Sequence, residues 1–338
     1  MTRRPGRRSA PLLACVCAAT VLVGCGERRE TLVLPATPTH VVIALDDPAD
    51  PPLAPLYAAL AGDDFTRAGL AVQVLTPTRS ALASLGSRAA DFAVTSEPDL
   101  LRARDAGAQV VAIGALVQSP LAAIVSIPPH PITKVTQLDR RTVAAPDTPL
   151  ANAELDTILQ HAGVAPTSVR RRPSPDPVGS LARARAPDAA LGAWNTDAVR
   201  LRLAHHPPTT IKIEDAGVPT YNRFVLVVRQ DEARNRGPIL RSFLQALSTG
   251  VRTTLATPAV ASEALAAANP GTSPRLALGA LRATLPALDP APTPSPYGFV
   301  DPRVWQTFGR WMLAHGLLTR PDDAARAITD EFLPGEGE

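Results

Sequence analysis

Residues 90–126 read ADFAVTSEPDLLRARDAGAQVVAIGALVQSPLAAIVS, and this stretch decides the fold assignment. The apolar run Asp91–Thr95 predicts a buried strand. A helix is predicted to begin at Ser96, whose hydroxyl can cap it, and to end at Gly107. Val110–Leu116 predicts the next buried strand. Strand, helix and strand in so short a stretch predict a βαβ unit with a right-handed crossover.

The same stretch predicts where a ligand binds. Ligands of such sheets bind beyond the carboxyl ends of the strands, where helix N-termini present free N–H groups. Ser96 and Glu97 lie at such a position, and we expect both to contact a ligand. Glu97 can accept hydrogen bonds from an amino group or merely cap the helix, and both roles are open. Leu121–Val125 predicts a third strand that finishes this lobe.

The N-terminal residues predict export and anchoring. Residues 1–24 have an arginine-rich start followed by an apolar core, which indicates a signal peptide. Leu22–Cys25 resembles the bacterial lipoprotein box, in which the cysteine is lipidated; an ordinary cleaved signal with a chance cysteine is the alternative. We expect lipidation of Cys25 and a polar tether over 25–39. The protein is thus expected at the extracytoplasmic face of the cell membrane.

The charge balance excludes a nucleic-acid partner. The net charge of the whole sequence is +3, but four arginines and no acids lie before Cys25, so the mature chain carries +3 − 4 = −1. No basic excess remains that could bind a polyanion. The other two cysteines leave with the signal peptide, so no thiol remains for a disulfide or a metal.

The pattern of apolar runs predicts an α/β protein with two doubly wound lobes joined by two crossings and a helical C-terminal return. We assign 40–125 to the first lobe, 126–220 to the second lobe, and 221–338 to the return to the first lobe with the C-terminal helices. Predicted second-lobe elements include helices over 178–186 and from Trp194–Asn195 to about His205. In the C-terminal part, an apolar stripe is predicted to be core, and it consists of Trp305, Phe308, Trp311 and Met312.

Several motifs resemble the substrate-binding proteins of ABC importers, and within them the group named for thiamine-pyrimidine precursors, related to the nitrate, sulfonate and taurine binders. The motifs, in chain order, are Asp63–Leu70, Phe92–Leu101, Val111–Pro120, Gly192–Asn195, Val218–Asn222 and Tyr297–Trp305. The resemblance implies a type II periplasmic-binding-protein fold, a ligand between the lobes, and a permease and an ATPase as membrane partners. It implies a monomer with no cofactor.

The resemblance also implies site residues. Trp194 can stack on a planar ring, and Asn195 offers a donor and an acceptor; a core tryptophan followed by a helix cap is the alternative. Asp197 occupies the place where the resemblance implies a glutamate facing the ligand. Three further residues can contact ligand at the edge of the cleft or pack in the hinge, and they are Tyr221, Asn222 and Tyr297.

The loop after the first strand departs from the family pattern. Asp46 and Asp47 are assigned to the ligand site, but a run of prolines follows where the family carries an aromatic residue. The candidate carboxylates make nitrate or a sulfonate an awkward ligand and favour an amino-substituted heterocycle. Arg223 can neutralise one of these carboxylates.

Two other functions stay open beside transport. A solute sensor or a sulfonate, nitrate or taurine binder would carry the same motifs. A eukaryotic branch of the superfamily makes the thiamine pyrimidine from pyridoxal phosphate, which needs a lysine and a nearby histidine. The only lysines, Lys134 and Lys212, do not lie at a strand exit of the first lobe, and the histidines lack metal-ligand spacing. We therefore predict a binding protein and no enzyme.

Overall fold

The computed structural model describes residues 37–47, 50–75, 80–269, 271–289, 296–320 and 324–335 and contains, within them, two five-stranded sheets. The strands are β1 Thr39–Leu45, β2 Leu70–Leu75, β3 Phe92–Thr95, β4 Val110–Val117, β5 Ala122–Ser126, β6 Thr142–Ala145, β7 Arg170–Pro173, β8 Ala189–Ala193, β9 Thr209–Lys212 and β10 Phe224–Arg229. The helices are α1 Ala54–Ala61, α2 Asp64–Arg67, α3 Ala81–Gly86, α4 Glu97–Asp105, α5 Pro149–His161, α6 Asp197–Leu203, α7 Gln230–Asn235, α8 Gly237–Ala256, α9 Pro258–Ala268, α10 Pro274–Leu288 and α11 Pro302–Ala314. The predicted signal peptide and Cys25 lie outside the described residues.

The two sheets have the same arrangement, which confirms the predicted pair of α/β lobes. Their strand orders are β2-β1-β3-β10-β4 and β7-β6-β8-β5-β9. In the first sheet β1 is parallel to β2 and β3, whereas β10 is antiparallel to β3 and β4. In the second sheet β6 is parallel to β7 and β8, whereas β5 is antiparallel to β8 and β9. The chain crosses between the lobes from β4 to β5 and again from β9 to β10.

The first crossing occurs before the strand predicted over Leu121–Val125, which corrects the assignment of that strand to the first lobe. The strand predicted over Leu121–Val125 as the end of the first lobe is β5, which pairs with β8 and β9 in the second sheet. The predicted βαβ unit of β3, α4 and β4 is confirmed, since both strands are antiparallel to β10, which lies between them, and are therefore parallel to each other. The apolar pattern identifies a buried strand but does not encode its partners, which explains the difference.

Alternation along the strands distributes side chains to two faces of each sheet. On β1, Val41, Ile43 and Leu45 face the core beneath α1 and α8, whereas Ala44 faces the opposite core. Helices α1 and α8 cross closely, because a Cβ at Gly250 would lie 2.1 Å from the Pro55 carbonyl oxygen. The first sheet is thus covered on both faces.

The predicted C-terminal stripe is confirmed as core. Trp305, Phe308 and Met312 on α11 are fully buried. Trp311 Nε1 donates a hydrogen bond of 3.0 Å to Thr157 Oγ1 on α5 of the second lobe. The C-terminal helix therefore packs directly on the second lobe.

Two predicted helices of the second lobe are corrected. The helix expected over 178–186 is only a 3-10 turn, Gly179–Ala182, and Arg185 adopts a φ of 56°, which a helix cannot continue. The helix expected from Trp194 begins at Asp197 instead. Asp197 Oδ2 accepts a hydrogen bond of 2.8 Å from Ala193 N, which holds the intervening residues in a turn.

Candidate functional site

The exit of β3 in the first lobe carries the predicted Ser96 and Glu97. Ser96 caps α4 as expected, because its Oγ accepts a hydrogen bond of 3.2 Å from Asp99 N. Thr95, the last residue of β3, is buried, and its hydroxyl has no hydrogen-bond partner among the described residues. The exit of β3 thus presents a hydroxyl that the protein leaves unpaired.

Glu97 is completely buried, and its two carboxyl oxygens have different surroundings. Its Oε2 accepts hydrogen bonds from Asn222 N at 2.7 Å and from Asn222 Nδ2 at 2.6 Å. Its Oε1 is buried without a partner among the described residues. Burial raises the pKa of Glu97 to about 8, against the lowering effect of the two bonds from Asn222. The carboxyl is therefore mostly protonated at pH 7 in this conformation.

The aspartates of the loop after β1 are largely engaged within the protein. Asp46 Oδ1 accepts a hydrogen bond of 2.6 Å from Ala81 N at the start of α3. Asp47 Oδ2 forms an ion pair of 2.9 Å with Arg223 Nη2, as the sequence predicts for one of the carboxylates. Although burial opposes it, the charges of Asp50 and Asp47 raise the pKa of Arg223. Asp46 holds the loop in place, and Asp47 is neutralised.

In the second lobe, the exit of β8 depends on Gly192. A Cβ at this position would lie 2.1 Å from Val178 Cγ2 and 2.9 Å from Asp197 Oδ2. The Asp197 carboxylate also pairs with Arg200 at 2.8 Å. Both Asp197 oxygens therefore bond within the second lobe, and the residue holds the turn that presents Trp194 and Asn195.

Trp194 lies at the junction of the two lobes. The half-buried indole packs against the first-lobe core under α1 and α8 and against the second-lobe core under α6. Its Nε1 donates a hydrogen bond of 3.3 Å to Pro120 O on the first crossing. Lys212 Nζ lies 4.3 Å from the centroid of the Trp194 ring, so an ammonium group covers one face of the indole.

Asn195 connects the second lobe to α10, and it keeps one acceptor unused. Asn195 Nδ2 donates a hydrogen bond of 2.9 Å to Thr284 Oγ1. The Thr284 hydroxyl donates to Ala280 O at 2.8 Å, so it can only accept from Asn195, which fixes the orientation of the amide. Asn195 Oδ1 is buried and has no partner among the described residues.

The two predicted tyrosines bond within the protein. Tyr221 OH donates a hydrogen bond of 2.9 Å to Glu154 Oε1, and its ring packs 4.6 Å from that of Phe308. Burial raises the pKa of Glu154 to about 7, although the bond from Tyr221 lowers it. Tyr297 OH donates a hydrogen bond of 3.0 Å to Leu116 O.

The structure joins some of the predicted site residues and leaves others apart. Glu97 contacts Asn222, and no hydrogen bond among the described residues joins Glu97 to Trp194 or Asn195. Sequence reasoning missed the position of Lys212 over the indole; its rarity as one of two lysines was the available signal. The described residues hold no group of three or more metal-ligating side chains, and none of their helices is long and apolar enough to span a bilayer.

Comparisons of the sequence with known proteins identify relatives of this chain. The sequence model of a family described as NMT1/THI5 like matches residues 50–261. The chain is 25% identical over 283 residues to the formylaminopyrimidine-binding protein of Halalkalibacterium halodurans. The match covers 81% of this chain and 86% of that protein.

Solved structures with the same fold include a binding protein and an enzyme. The periplasmic aliphatic sulphonate binding protein SsuA of Escherichia coli superposes with a TM-score of 0.68 at 15% identity, covering 88% of this chain and 99% of that chain. The desulfurization enzyme DSZB superposes with a TM-score of 0.60 at 15% identity, covering 86% of this chain and 97% of that chain. At these identities the likeness concerns the fold alone.

Proposed function

This chain belongs to the NMT1/THI5-like family, and from that premise we propose that it is an extracytoplasmic solute-binding lipoprotein that delivers a thiamine-pyrimidine precursor, or a related nitrogen heterocycle, to an ABC importer. The similarity to a formylaminopyrimidine-binding protein supports this choice of solute. The permease and the ATPase are the membrane partners. The protein works as a monomer without a cofactor.

The observation that carries the proposal is a set of three buried polar atoms that have no hydrogen-bond partner among the described residues. Thr95 Oγ1 lies on the last residue of β3, Glu97 Oε1 follows that strand, and Asn195 Oδ1 follows β8. Each lies at or just beyond the carboxyl end of a strand that is parallel to a neighbour, where ligands of such sheets bind. All three can accept hydrogen bonds, which suits a ring that carries amino groups. A buried acceptor left unpaired costs about 1–3 kcal/mol, so a ligand that supplies the donor gains affinity.

Trp194 would contribute the planar contact. Its indole packs against both lobes, so a ring that stacks on it lies between them. Glu97 and Asn195 would orient the ring through its amino groups, and Asp197 would hold the turn that carries the indole. A hinge rotation at the two crossings would enclose the solute.

A thermal-shift screen of the mature protein tests the choice of solute. The compounds are a formylaminopyrimidine, unsubstituted pyrimidine, an alkanesulfonate, nitrate and amino acids. We expect the largest rise in Tm with the formylaminopyrimidine, because a ligand that binds only the folded state stabilises it according to its concentration over Kd. The proposal is wrong if only the sulfonate or nitrate raises Tm.

The ionisation of Glu97 gives a second test. A charge-assisted hydrogen bond from a ligand amino group needs Glu97 as the ionised carboxylate. In the free protein at pH 7, however, the Glu97 carboxyl is mostly protonated, because its pKa is about 8. Binding at pH 7 should therefore release a proton, which calorimetry in buffers of different ionisation enthalpy measures. In Glu97→Gln the proton release should disappear and the affinity should fall about tenfold or more, as for the loss of a charge-assisted hydrogen bond. Asp289→Asn, on an exposed carboxylate after α10, is the matched control.

A sulfonate is the second candidate, and Lys212 is the observation that favours it. Its ammonium group lies at the junction of the lobes, against Trp194, where it could pair with an anion. Two other cations near the candidate residues are already paired, Arg223 with Asp47 and Arg200 with Asp197. The same thermal-shift screen decides between the two solutes.

Anchoring through Cys25 is tested separately. Cys25→Ser should move the protein from the membrane to the soluble fraction and leave residues 1–24 uncleaved. Mass spectrometry of the purified protein reports both the lipid and the cleavage. An unchanged mass and unchanged fractionation would disprove the lipoprotein assignment.

A further inference from the structure

A cavity of about 230 Å³ lies beside the residues assigned above, at the junction of the two lobes. The second lobe contributes Thr196, just before α6. Helices α9 and α10 supply apolar walls, which include Leu265, Leu276, Ala277 and Ala280. Asp50, at the end of the loop after β1, is the ionisable residue among the described residues that line the cavity. The cavity is thus apolar except at one carboxyl group and a few neutral polar groups.

The carboxyl group of Asp50 is available to a ligand. Its side chain is 20% exposed. The nearest cation is Arg223, whose Nη2 lies 3.9 Å from Asp50 Oδ2 but only 2.9 Å from Asp47 Oδ2. A separation of 3.9 Å is too long for a hydrogen bond. Asp50 precedes the 3-10 turn Pro51–Leu53 without capping it. Among the described residues, no group donates a hydrogen bond to this carboxyl.

The surroundings of Asp50 favour a cationic partner. Burial raises the pKa of Asp50 to about 6; Arg223 lowers this pKa, and the charges of Asp47 and Asp197 raise it further. Asp47 and Asp197 are paired with Arg223 and Arg200, respectively, so Asp50 is the carboxyl of this group that lacks a close cation. The protein leaves this acceptor partly desolvated and incompletely compensated.

The size of the cavity limits the rest of the ligand. A dry cavity of about 150 Å³ lined by aliphatic and aromatic side chains holds one benzene molecule. A volume of about 230 Å³ therefore accepts one six-membered ring with a small substituent and no second ring. Leucine and alanine walls provide contacts for the ring but no hydrogen bonds.

We propose that this cavity is a binding site for a single-ring molecule that carries an amino or ammonium group, with the ring against Leu265, Leu276 and Ala277 and the nitrogen donating to Asp50. The proposal does not depend on the solute proposed above, because neither Glu97 nor Trp194 nor Asn195 lines the cavity. Asp50 would be the residue that selects an amine over a neutral ring.

Benzylamine is the probe, and benzyl alcohol is its uncharged counterpart. Calorimetry on the mature protein at pH 7.5 should show benzylamine binding roughly tenfold more tightly than benzyl alcohol, since a hydrogen bond to a charged group is the stronger one. Asp50→Asn should remove this preference. Asp289→Asn, the same substitution on an exposed carboxylate, should leave it intact. As the pH falls below about 6 and Asp50 is protonated, benzylamine affinity should also fall by up to about tenfold in the wild type and then level off, but not in Asp50→Asn.

The outcomes separate clearly. Binding that loses its amine preference in Asp50→Asn alone supports the site. Equal affinity of wild type and Asp50→Asn for benzylamine, or no binding by the wild type, overturns the proposal. Should Asp50→Asn unfold, the comparison of the two probes and the pH series on the wild type decide alone. Because the probes are not pyrimidine precursors, a failure here leaves the thermal-shift result for the formylaminopyrimidine unaffected.

Discussion

The Glu97 carboxylate is held by Asn222 through two hydrogen bonds, from the backbone N at 2.7 Å and from Nδ2 at 2.6 Å. A third bond of 3.1 Å runs back from Glu97 N to Asn222 O. Glu97 begins α4 in the first lobe, and Asn222 lies on the second crossing. The first turn of α4 is therefore fixed to the segment about which the lobes would rotate.

Glu97→Gln should stabilise the protein at alkaline pH. The ordinary pKa of a glutamate is about 4.3, and that of Glu97 is about 8. Because the folded state binds the proton more tightly, the stability from protonated Glu97 is complete below pH 4.3 and is lost as the pH rises through 8. Glutamine keeps the acceptor for Asn222 and carries no charge. We expect the free energy of unfolding of Glu97→Gln to exceed that of the wild type by about 1–3 kcal/mol at pH 8.5. At pH 4 the two proteins should have nearly the same free energy of unfolding.

Chemical denaturation at both pH values measures this difference. Exposed Glu263 on α9 provides the control substitution Glu263→Gln, which should leave the pH profile unchanged. If Glu97→Gln is less stable than the wild type at pH 8.5, the raised pKa of Glu97 is contradicted.

Tyr221→Phe should destabilise the protein increasingly as the pH rises. Tyr221 OH donates to Glu154 Oε1, and Glu154 is only 4% exposed. Removing the donor leaves a buried carboxyl unpaired, at a cost of about 1–3 kcal/mol, and raises the pKa of Glu154 above about 7. The loss should be larger at pH 8 than at pH 5, because only the ionised carboxylate needs the donor strongly. Tyr297→Phe removes a bond to a neutral carbonyl, so its cost should not change with pH.

Gly192→Ala should destabilise the second lobe. The new Cβ would lie 2.1 Å from Val178 Cγ2 and 2.9 Å from Asp197 Oδ2, so the turn that carries Trp194 must shift. Overpacking of this kind costs about 1–3 kcal/mol. Gly86→Ala is the matched control, because a Cβ at Gly86 meets no atom within 4 Å. Equal melting temperatures for the two variants would show that the exit of β8 tolerates the change.

Trp194→Leu should weaken solute binding more than it weakens folding. Leucine preserves apolar packing between the lobes but removes the aromatic face, whose stacking contributes about 0.5–1.5 kcal/mol beyond burial. Affinity for the formylaminopyrimidine, measured by calorimetry, should fall by roughly tenfold or less. Lys212→Gln keeps the indole and removes the cation above it, so affinity for an amino-substituted ring should rise. Wild-type affinity in Trp194→Leu would exclude a stacking role.

Local sequence patterns predicted many elements of the fold but not which strands pair with one another. The runs Asp91–Thr95, Val110–Leu116 and Leu121–Val125 were recognisable because buried strands are continuously apolar. Their hydrogen-bond partners depend on residues more than a hundred positions away, such as Val225 beside Thr95. No periodicity in the sequence records such a pairing.

The same limit applies to the candidate site. The ion pair between Arg223 and an aspartate could be predicted, since few cations lie near these carboxylates. The engagement of Glu97 by Asn222 could not, because the two residues are 125 positions apart. Asp50 was hidden among prolines and gains its importance only from the helices α9 and α10 that pack over it.

The return of β10 to the first sheet also determines the order in which the chain can fold. In the first sheet, β10 lies between β3 and β4. The sheet therefore cannot be completed until residues 224–229, which form β10, have been synthesised. A nascent chain that ends before this strand would leave the edges of β3 and β4 unpaired, so the first lobe could not be produced as a stable N-terminal fragment. The second sheet, by contrast, is built from the consecutive strands β5 to β9. The long-range pairing of β10 slows folding. If residues 1–24 act as the predicted signal peptide, slow folding would keep the chain unfolded long enough to pass through a secretion channel.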